Sequence, residues 1–100
     1  MTYVRLSIAR PRHGQEERLH EIQAELARWA RDQPGCRESY LLHPHDDSGE
    51  IARITIYESE DAAEEVAKHP HLMSLRSELN LAAEPDHVER GFHAEAEYGT

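Results

Sequence analysis

The chain has 100 residues, of which 38% are hydrophobic and 31% are charged, and this length predicts one small globular domain spanning residues 1–100. Its formal net charge is -9, from 20 acidic and 11 basic residues, which argues against nucleic acid and anionic membranes as partners because both are bound by clusters of Lys and Arg. Cys36 is the only cysteine, so no intramolecular disulfide can form. The start of the chain carries Arg5 and Arg10 and does not resemble a signal peptide or a membrane helix, so we expect a cytoplasmic protein.

The first half of the chain predicts a strand, a helix and a hairpin. Residues Tyr3 to Ala9 alternate between two faces, which is the period of a strand. The next segment predicts an amphipathic helix that ends before Pro34-Gly35, because apolar residues recur in it at steps of three and four. These residues are Leu19, Ile22, Leu26 and Trp29 or Ala30. Two further strands, Cys36 to His43 and Ile51 to Tyr57, flank a segment rich in turn-forming residues that is typical of a hairpin loop.

The second half predicts two helical segments and a last strand. Ser59 stands where it can cap a helix whose first turn is acidic. Pro70 then interrupts the helical pattern and suits the first turn of a second segment, from about Pro70 to Leu81. The apolar contacts predicted for this segment are Leu72, Met73, Leu75 and Leu79. A final strand is predicted over roughly His87 to Ala96, and its residues available for burial are Val88, Phe92, Ala94 and Ala96.

This order of elements predicts an α+β fold of the ferredoxin-like βαββαβ type, in which a four-stranded antiparallel sheet carries both helices on one face. The two sides of the first and third strands differ in character. One side is apolar and consists of Val4, Leu6, Ile8, Ala52, Ile54 and Ile56. The other is mixed and includes Arg5, Ser7, Arg53, Thr55 and Tyr57. Because neither side is a plain solvated surface, we expect a homodimer in which two sheets meet face to face.

Several short motifs resemble the antibiotic biosynthesis monooxygenase family of dimeric α/β barrels. The segment from Tyr57 to Ala62 resembles the family's aromatic-x-Ser-x-x-Ala junction, His71 corresponds to the second of two helical histidines, and Pro34-Gly35-Cys36 resembles the family's turn before the second strand. The resemblance implies a homodimer whose sheets form a barrel, with a small-molecule pocket in each subunit between helices and sheet. Some relatives oxidise polycyclic or quinol-like aromatics with dioxygen and without a metal or organic cofactor. Others isomerise or only bind small molecules.

The chain departs from the family pattern at two positions. Tyr57 stands where many members carry Trp, and Val66 stands where the first helical histidine would be. In the haem-degrading branch an Asn, a Trp and the iron-ligating His correspond to Ser7, Val66 and about Arg76, so the resemblance argues against haem. A cofactor-independent oxygenase and a non-catalytic dimeric ligand-binding module both stay open from the sequence, with a metal or haem binder as a third alternative.

Oxygenation without a cofactor requires the protein to deprotonate a phenol or enol, to stabilise the resulting anion and to exclude water. His71 is the predicted base, Arg53 or Arg5 the predicted partner of the anion, and Tyr57 the residue predicted to orient the substrate ring. The predicted substrate contacts are Arg5, Ser7, Thr55 and Trp29. The arginines, the two aromatic residues and the histidine also have a structural interpretation, as ion-paired arginines, buried aromatic residues and a histidine at a helix break.

The sequence His-Pro-His occurs twice, as His43-Pro44-His45 and His69-Pro70-His71. Neutral imidazole is a common ligand for transition metals, yet no carboxylate or cysteine spacing accompanies either copy in the way a metal site requires. We interpret the two copies as separate chain breaks and predict no bound metal.

Overall fold

A computed structural model describes residues 1–95. Four strands and three helices follow one another as β1 (Tyr3–Ala9), α1 (Glu16–Arg31), β2 (Cys36–Leu42), β3 (Ile51–Tyr57), α2 (Glu60–Ala67), α3 (Pro70–Ala82) and β4 (Val88–His93). The strands form one antiparallel sheet in the order β2-β3-β1-β4. The predicted ferredoxin-like α+β fold is confirmed, and the second helical region is divided in two at Pro70, as its sequence predicts. None of the helices in residues 1–95 is long and apolar enough to cross a bilayer.

The helices cover one face of the sheet and bury a small core there. α1 packs on β2, β3 and α3, and α2 packs on β1 and β3. The largest apolar side chains that are fully buried belong to helices and are Leu19, Ile22, Leu26 and Leu79. Ser59 caps α2 as predicted, because its hydroxyl accepts a hydrogen bond from the Ala62 N–H at 3.1 Å. His69 caps α3 in the same way, through Nδ1 and the His71 N–H at 3.1 Å.

Two predicted details of the elements are corrected. Met73 was expected to contact the core but is 57% exposed, because it lies one helical step, about 100°, from the buried Leu72. The last strand ends at His93, since its partner β1 begins at Tyr3 and these two residues form the last pair. Ala96, the predicted end of this strand, lies outside the described residues.

The uncovered face of the sheet is mainly apolar, and its two edge strands add one charged residue each, Glu38 on β2 and Arg90 on β4. Tyr40, Leu42 and Phe92 are 48%, 37% and 40% exposed there. Half-buried residues of the two central strands lie between them: Val4, Leu6, Ile8, Ala52, Ile54 and Ile56. Contiguous exposed apolar patches of this kind are rare on monomeric proteins and mark surfaces that bind a partner.

Gly35 brings the turn between α1 and β2 against α2. Its φ is +83°, and a Cβ at this position would lie 2.6 Å from the Cβ of Ala62. Gly14 has nearly the same φ, +81°, with open space around it. We expect Gly14→Ala to cost about 1 kcal/mol through backbone strain alone, and Gly35→Ala to cost about 3 kcal/mol because overpacking is added. Urea unfolding of both variants measures the difference. Equal losses in the free energy of unfolding would show that Ala62 moves aside for the added methyl group at little cost.

Candidate active site

The polar residues of β1 and β3 lie beneath the helices. Antiparallel pairing sets Arg5 opposite Thr55 and Ser7 opposite Arg53, so these side chains share one face of the sheet. Ser7 is 1%, Thr55 0% and Arg53 6% exposed. Tyr57, at the end of the same row, is 4% exposed. The mixed set of the sequence is therefore the inner face of the sheet.

Gln23 of α1 organises this inner face through hydrogen bonds. Its Nε2 donates to the hydroxyl of Ser7 at 3.0 Å and to the carbonyl of Ile51 at 3.3 Å. Its Oε1 accepts from Nε of Arg53 at 3.1 Å. The side chain of Gln23 is fully buried, and an apolar replacement would leave both Ser7 and Arg53 without these partners. The network fixes the direction in which Arg53 extends from the sheet.

Arg53 holds a positive charge inside the protein. Burial lowers the pKa of its guanidinium, the nearby charge of Glu89 opposes this effect, and repulsion from Arg76 and Arg5 adds to it. An arginine nevertheless remains protonated at neutral pH. Nη2 of Arg53 lies 3.6 Å from Oε1 of Glu89, and this carboxylate oxygen is buried without a hydrogen-bond partner among residues 1–95.

A cleft lies between this inner face and the pair of helices α2 and α3. The sheet contributes charged and aromatic residues, and the helices contribute small and apolar residues together with one more arginine. Its lining consists of Arg5, Arg53, Tyr57, Glu89, Ala63, Ala67, Leu72 and Arg76. Its free volume is about 20 Å³, which is close to the space that one water molecule needs.

Tyr57 presents a protonated phenol to the cleft. Burial is the main cause that raises its pKa, and the neighbouring Cys36 adds to the effect, whereas Arg53 and Arg5 oppose it. The hydroxyl is therefore available at neutral pH as a hydrogen-bond donor.

The structure does not bring His71 and Trp29 to this cleft. The ring of His71 lies 5.3 Å from the ring of Trp29, and its Nε2 lies 3.6 Å from a carboxylate oxygen of Glu25 on α1. Leu72 and Arg76, which are four residues apart on α3, face the cleft, and His71 is one helical step away from them. His71 is thus directed toward α1, and the predicted grouping of this histidine with Arg53 and Tyr57 is not what the fold produces.

The two His-Pro-His copies have different neighbours. The ring of His43 stacks on His20 of α1 at 5.7 Å, whereas His69 meets Trp29 edge-on at 4.8 Å. Within residues 1–95, no group of three or more His, Cys, Asp or Glu side chains is arranged to hold a metal ion.

Two larger grooves lie at the opposite end of the sheet. They have free volumes of about 560 and 520 Å³ and share Pro11, Glu16 and Gly49 in their walls. Neither groove is lined by any of the residues that the sequence predicts for the site. The small cleft is the better candidate, since it combines buried polar groups with convergent charge.

A comparison with protein-family models shows which family this chain belongs to. The family model described as antibiotic biosynthesis monooxygenase (ABM) matches residues 1–75. The chain belongs to this family. A comparison with curated proteins gives no match.

Solved structures share the ABM fold with this chain over nearly its whole length. Rv0793 from Mycobacterium tuberculosis superposes with a TM-score of 0.87 and 19% identity, covering 99% of this chain and 100% of that one. SnoaB, a cofactor-independent oxygenase from Streptomyces nogalater, superposes with a TM-score of 0.80 and 18% identity, covering 96% and 95% of the two chains. A conserved protein from Methanosarcina mazei Go1 reaches a TM-score of 0.85 at 6% identity, with 95% and 94% covered. At these low sequence identities, the similarity to the solved structures establishes a shared fold.

Three residues of the site in this ABM protein were not predicted as site residues. Gln23 lies four residues after Leu19 and three before Leu26, so its place on the apolar stripe of α1 was a signal that it is buried. Glu89 alternates with Val88 and Arg90 on the last strand, which sets it on the inner face. Arg76 follows Leu72 by four residues and therefore shares its helical face.

Proposed function

We propose that this protein is a homodimeric, cofactor-independent monooxygenase that oxidises a small aromatic, quinol-like or enolic compound with dioxygen. Its membership of the ABM family and its similarity in fold to a cofactor-independent oxygenase support this proposal. The observation that carries it is the convergence of three arginines, one glutamate and a protonated tyrosine on one cleft under the helices. Such a set can take up a proton and stabilise an anion in a place with little water.

The reaction requires the substrate to supply the electrons that reduce dioxygen, and an ionised phenol or enol supplies them more readily than its neutral form. Arg5 and Arg53 would stabilise the substrate anion, and the hydroxyl of Tyr57 would orient its ring. We assign the proton acceptor to Glu89, whose carboxylate lines the cleft and has one oxygen without a hydrogen-bond partner among the described residues. The sequence predicted His71 for this role, but its ring is directed toward Glu25 instead.

The other predicted substrate contacts take different parts in this proposal. Ser7 accepts a hydrogen bond from Gln23 and supports the position of Arg53 indirectly. The hydroxyl of Thr55 is fully buried and has no hydrogen-bond partner among the described residues, so it can bond a polar atom of the substrate or a water molecule. Trp29 contacts His69 and His71 and supports the start of α3.

Dimerisation would cover the uncovered apolar face of the sheet. A second copy of the chain is the proposed partner because the same patch, repeated by a two-fold axis, is self-complementary in its apolar character. Two such sheets packed face to face make the barrel that the family resemblance implies. The clefts lie on the opposite side of each sheet and stay accessible from the helical side.

Oxygen uptake tests the proposed activity. The purified protein is incubated in air with 1,4-dihydroxynaphthalene and anthrone, and consumption is compared with that of the same solutions without protein. We expect uptake above background, and we expect Glu89→Gln to lower the rate by about a hundredfold because the base is lost. Glu17→Gln, an exposed change on α1, is the matched control. Loss of activity in His71→Ala with an active Glu89→Gln would return the role of base to His71.

A non-catalytic, dimeric small-ligand-binding module is the second candidate. The free volume of about 20 Å³ favours it, since a cleft this small holds a substrate only after its walls move apart. Binding of the aromatic probes without any oxygen uptake in the same assay would select this candidate over the oxygenase.

A further inference from the structure

The candidate cleft is strongly positive in a strongly negative protein. Among the described residues, Arg5, Arg53 and Arg76 line it together with a single carboxylate, that of Glu89, although the chain has a formal net charge of -9. Three guanidinium groups that share one small cleft repel one another, and this repulsion is costly where water is scarce. An arrangement of this kind is retained at a stability cost when it serves to bind a negative charge.

Two of these arginines are not paired with a carboxylate of the described residues. Arg53 is engaged by Gln23 and Glu89. Arg5 lies over the ring of Tyr3, with its Cζ 5.7 Å from the ring centroid. Neither Arg5 nor Arg76 forms an ion pair with a carboxylate in residues 1–95, in a protein where acidic groups are abundant. Both are half-buried, so their charges are only partly screened by solvent.

We propose that the ligand of this cleft is an aromatic hydroxy acid, whose carboxylate is bound by Arg5 and Arg76 and whose hydroxyl is directed to Glu89. This inference rests on the proposed function and names the substrate class of the same site. A planar guanidinium matches a carboxylate through two parallel hydrogen bonds, which makes the pairing both strong and directional. Oε1 of Glu89 has no hydrogen-bond partner within residues 1–95 and is an acceptor suited to a substrate hydroxyl.

The walls of the cleft specify the rest of the ligand. The sheet contributes the aromatic ring of Tyr57 to the lining, and α3 contributes the apolar side chain of Leu72. Ala63 and Ala67 of α2 have small side chains that occupy little of the space between them. Aromatic rings pack well between such surfaces. α2 is a short helix whose core contacts are small: Ala63 and Val66 are buried, and Ala62 and Ala67 are half-buried against the core. Its displacement to admit a ring therefore costs less apolar contact than the displacement of α1 would.

Anaerobic binding of two matched probes tests this inference. The probes are 1,4-dihydroxy-2-naphthoate and 1,4-dihydroxynaphthalene, which differ by one carboxylate, and calorimetry under nitrogen measures their affinities for the full-length protein. We expect the carboxylate to increase affinity by about tenfold or more, and this advantage to shrink as salt is raised. Arg5→Gln and Arg76→Gln are each expected to reduce the advantage to about threefold or less. Arg12→Gln, a change of an exposed arginine outside the cleft, should leave it intact.

The results of the binding and oxygen-uptake experiments distinguish the anion site from the proposed oxygenase activity. Equal affinity for the two probes, or no binding of either at millimolar concentration, would overturn the anion site. Oxygen uptake with the neutral quinol alone would leave the oxygenase standing while removing the substrate class proposed here. Preferential binding of the carboxylate without uptake would support the anion site and remove the oxygenase. Circular dichroism of each arginine variant confirms that a loss of preference does not come from unfolding.

Discussion

Glu89→Leu is expected to lower the free energy of unfolding by about 3 kcal/mol. The guanidinium of Arg53 is almost completely buried, and the carboxylate of Glu89 is the opposite charge that lies within ion-pair distance of it. Removing the carboxylate leaves an uncompensated positive charge inside the protein, next to Arg5 and Arg76. Urea unfolding at fixed protein concentration measures the loss.

Two control variants show whether the loss of stability comes from an uncompensated buried charge. The double variant Arg53→Met/Glu89→Leu removes both charges and is expected to recover most of the lost stability, because an apolar pair of similar size does not require a counter-charge. Glu65→Leu breaks the exposed pair between Lys68 and Glu65 and should change stability by less than about 1 kcal/mol. Similar losses for Glu89→Leu and Glu65→Leu would mean that solvent reaches Arg53.

Ile54→Lys is expected to convert the proposed homodimer into a monomer. Ile54 lies on a central strand in the middle of the uncovered apolar face, opposite Leu6 and Tyr40 in the two neighbouring strands. A two-fold axis places the new charge at the interface twice, so the dissociation constant should rise by about a hundredfold or more. Sedimentation equilibrium should then give the mass of one chain, 11.5 kDa.

A charge elsewhere on the surface provides the comparison for this variant. Leu81 on α3 is 78% exposed and lies away from the sheet face, so Leu81→Lys should leave the mass of the dimer unchanged. A wild-type protein that sediments as a monomer at micromolar concentration would remove the dimer proposal. In that case the exposed apolar face of the sheet would need another explanation.

Local periodicity made most of the fold predictable. Alternation in β1 and β3 identified the two sheet faces, the stripe through Leu19 and Leu26 identified the inner side of α1, and Pro70 identified the break between α2 and α3. These signals are reliable because each is produced by neighbours a few residues apart. The choice of covered face was not fixed by such signals, since it depends on how the helices fold back over the sheet.

The site was predicted only in part. The shared face of Arg5, Arg53 and Tyr57 follows from strand alternation and is what the structure has. The position of His71 depends on the rotation of α3 about its own axis, and one residue changes the direction of a side chain by about 100°. The remaining residues of the cleft come from three different elements, and only the tertiary arrangement brings them together.

The alternation along β3 also limits which changes in length this chain can accept. An insertion or deletion of one residue within Ile51–Tyr57 would exchange the two faces of the strand beyond that point. The guanidinium of Arg53 would then lie on the uncovered face, or isoleucines would lie among the charges of the cleft. Variation in length among natural homologues should therefore be found in the loop at 43–50 and be missing from this strand. An alignment of orthologues with gaps inside β3 would contradict this expectation.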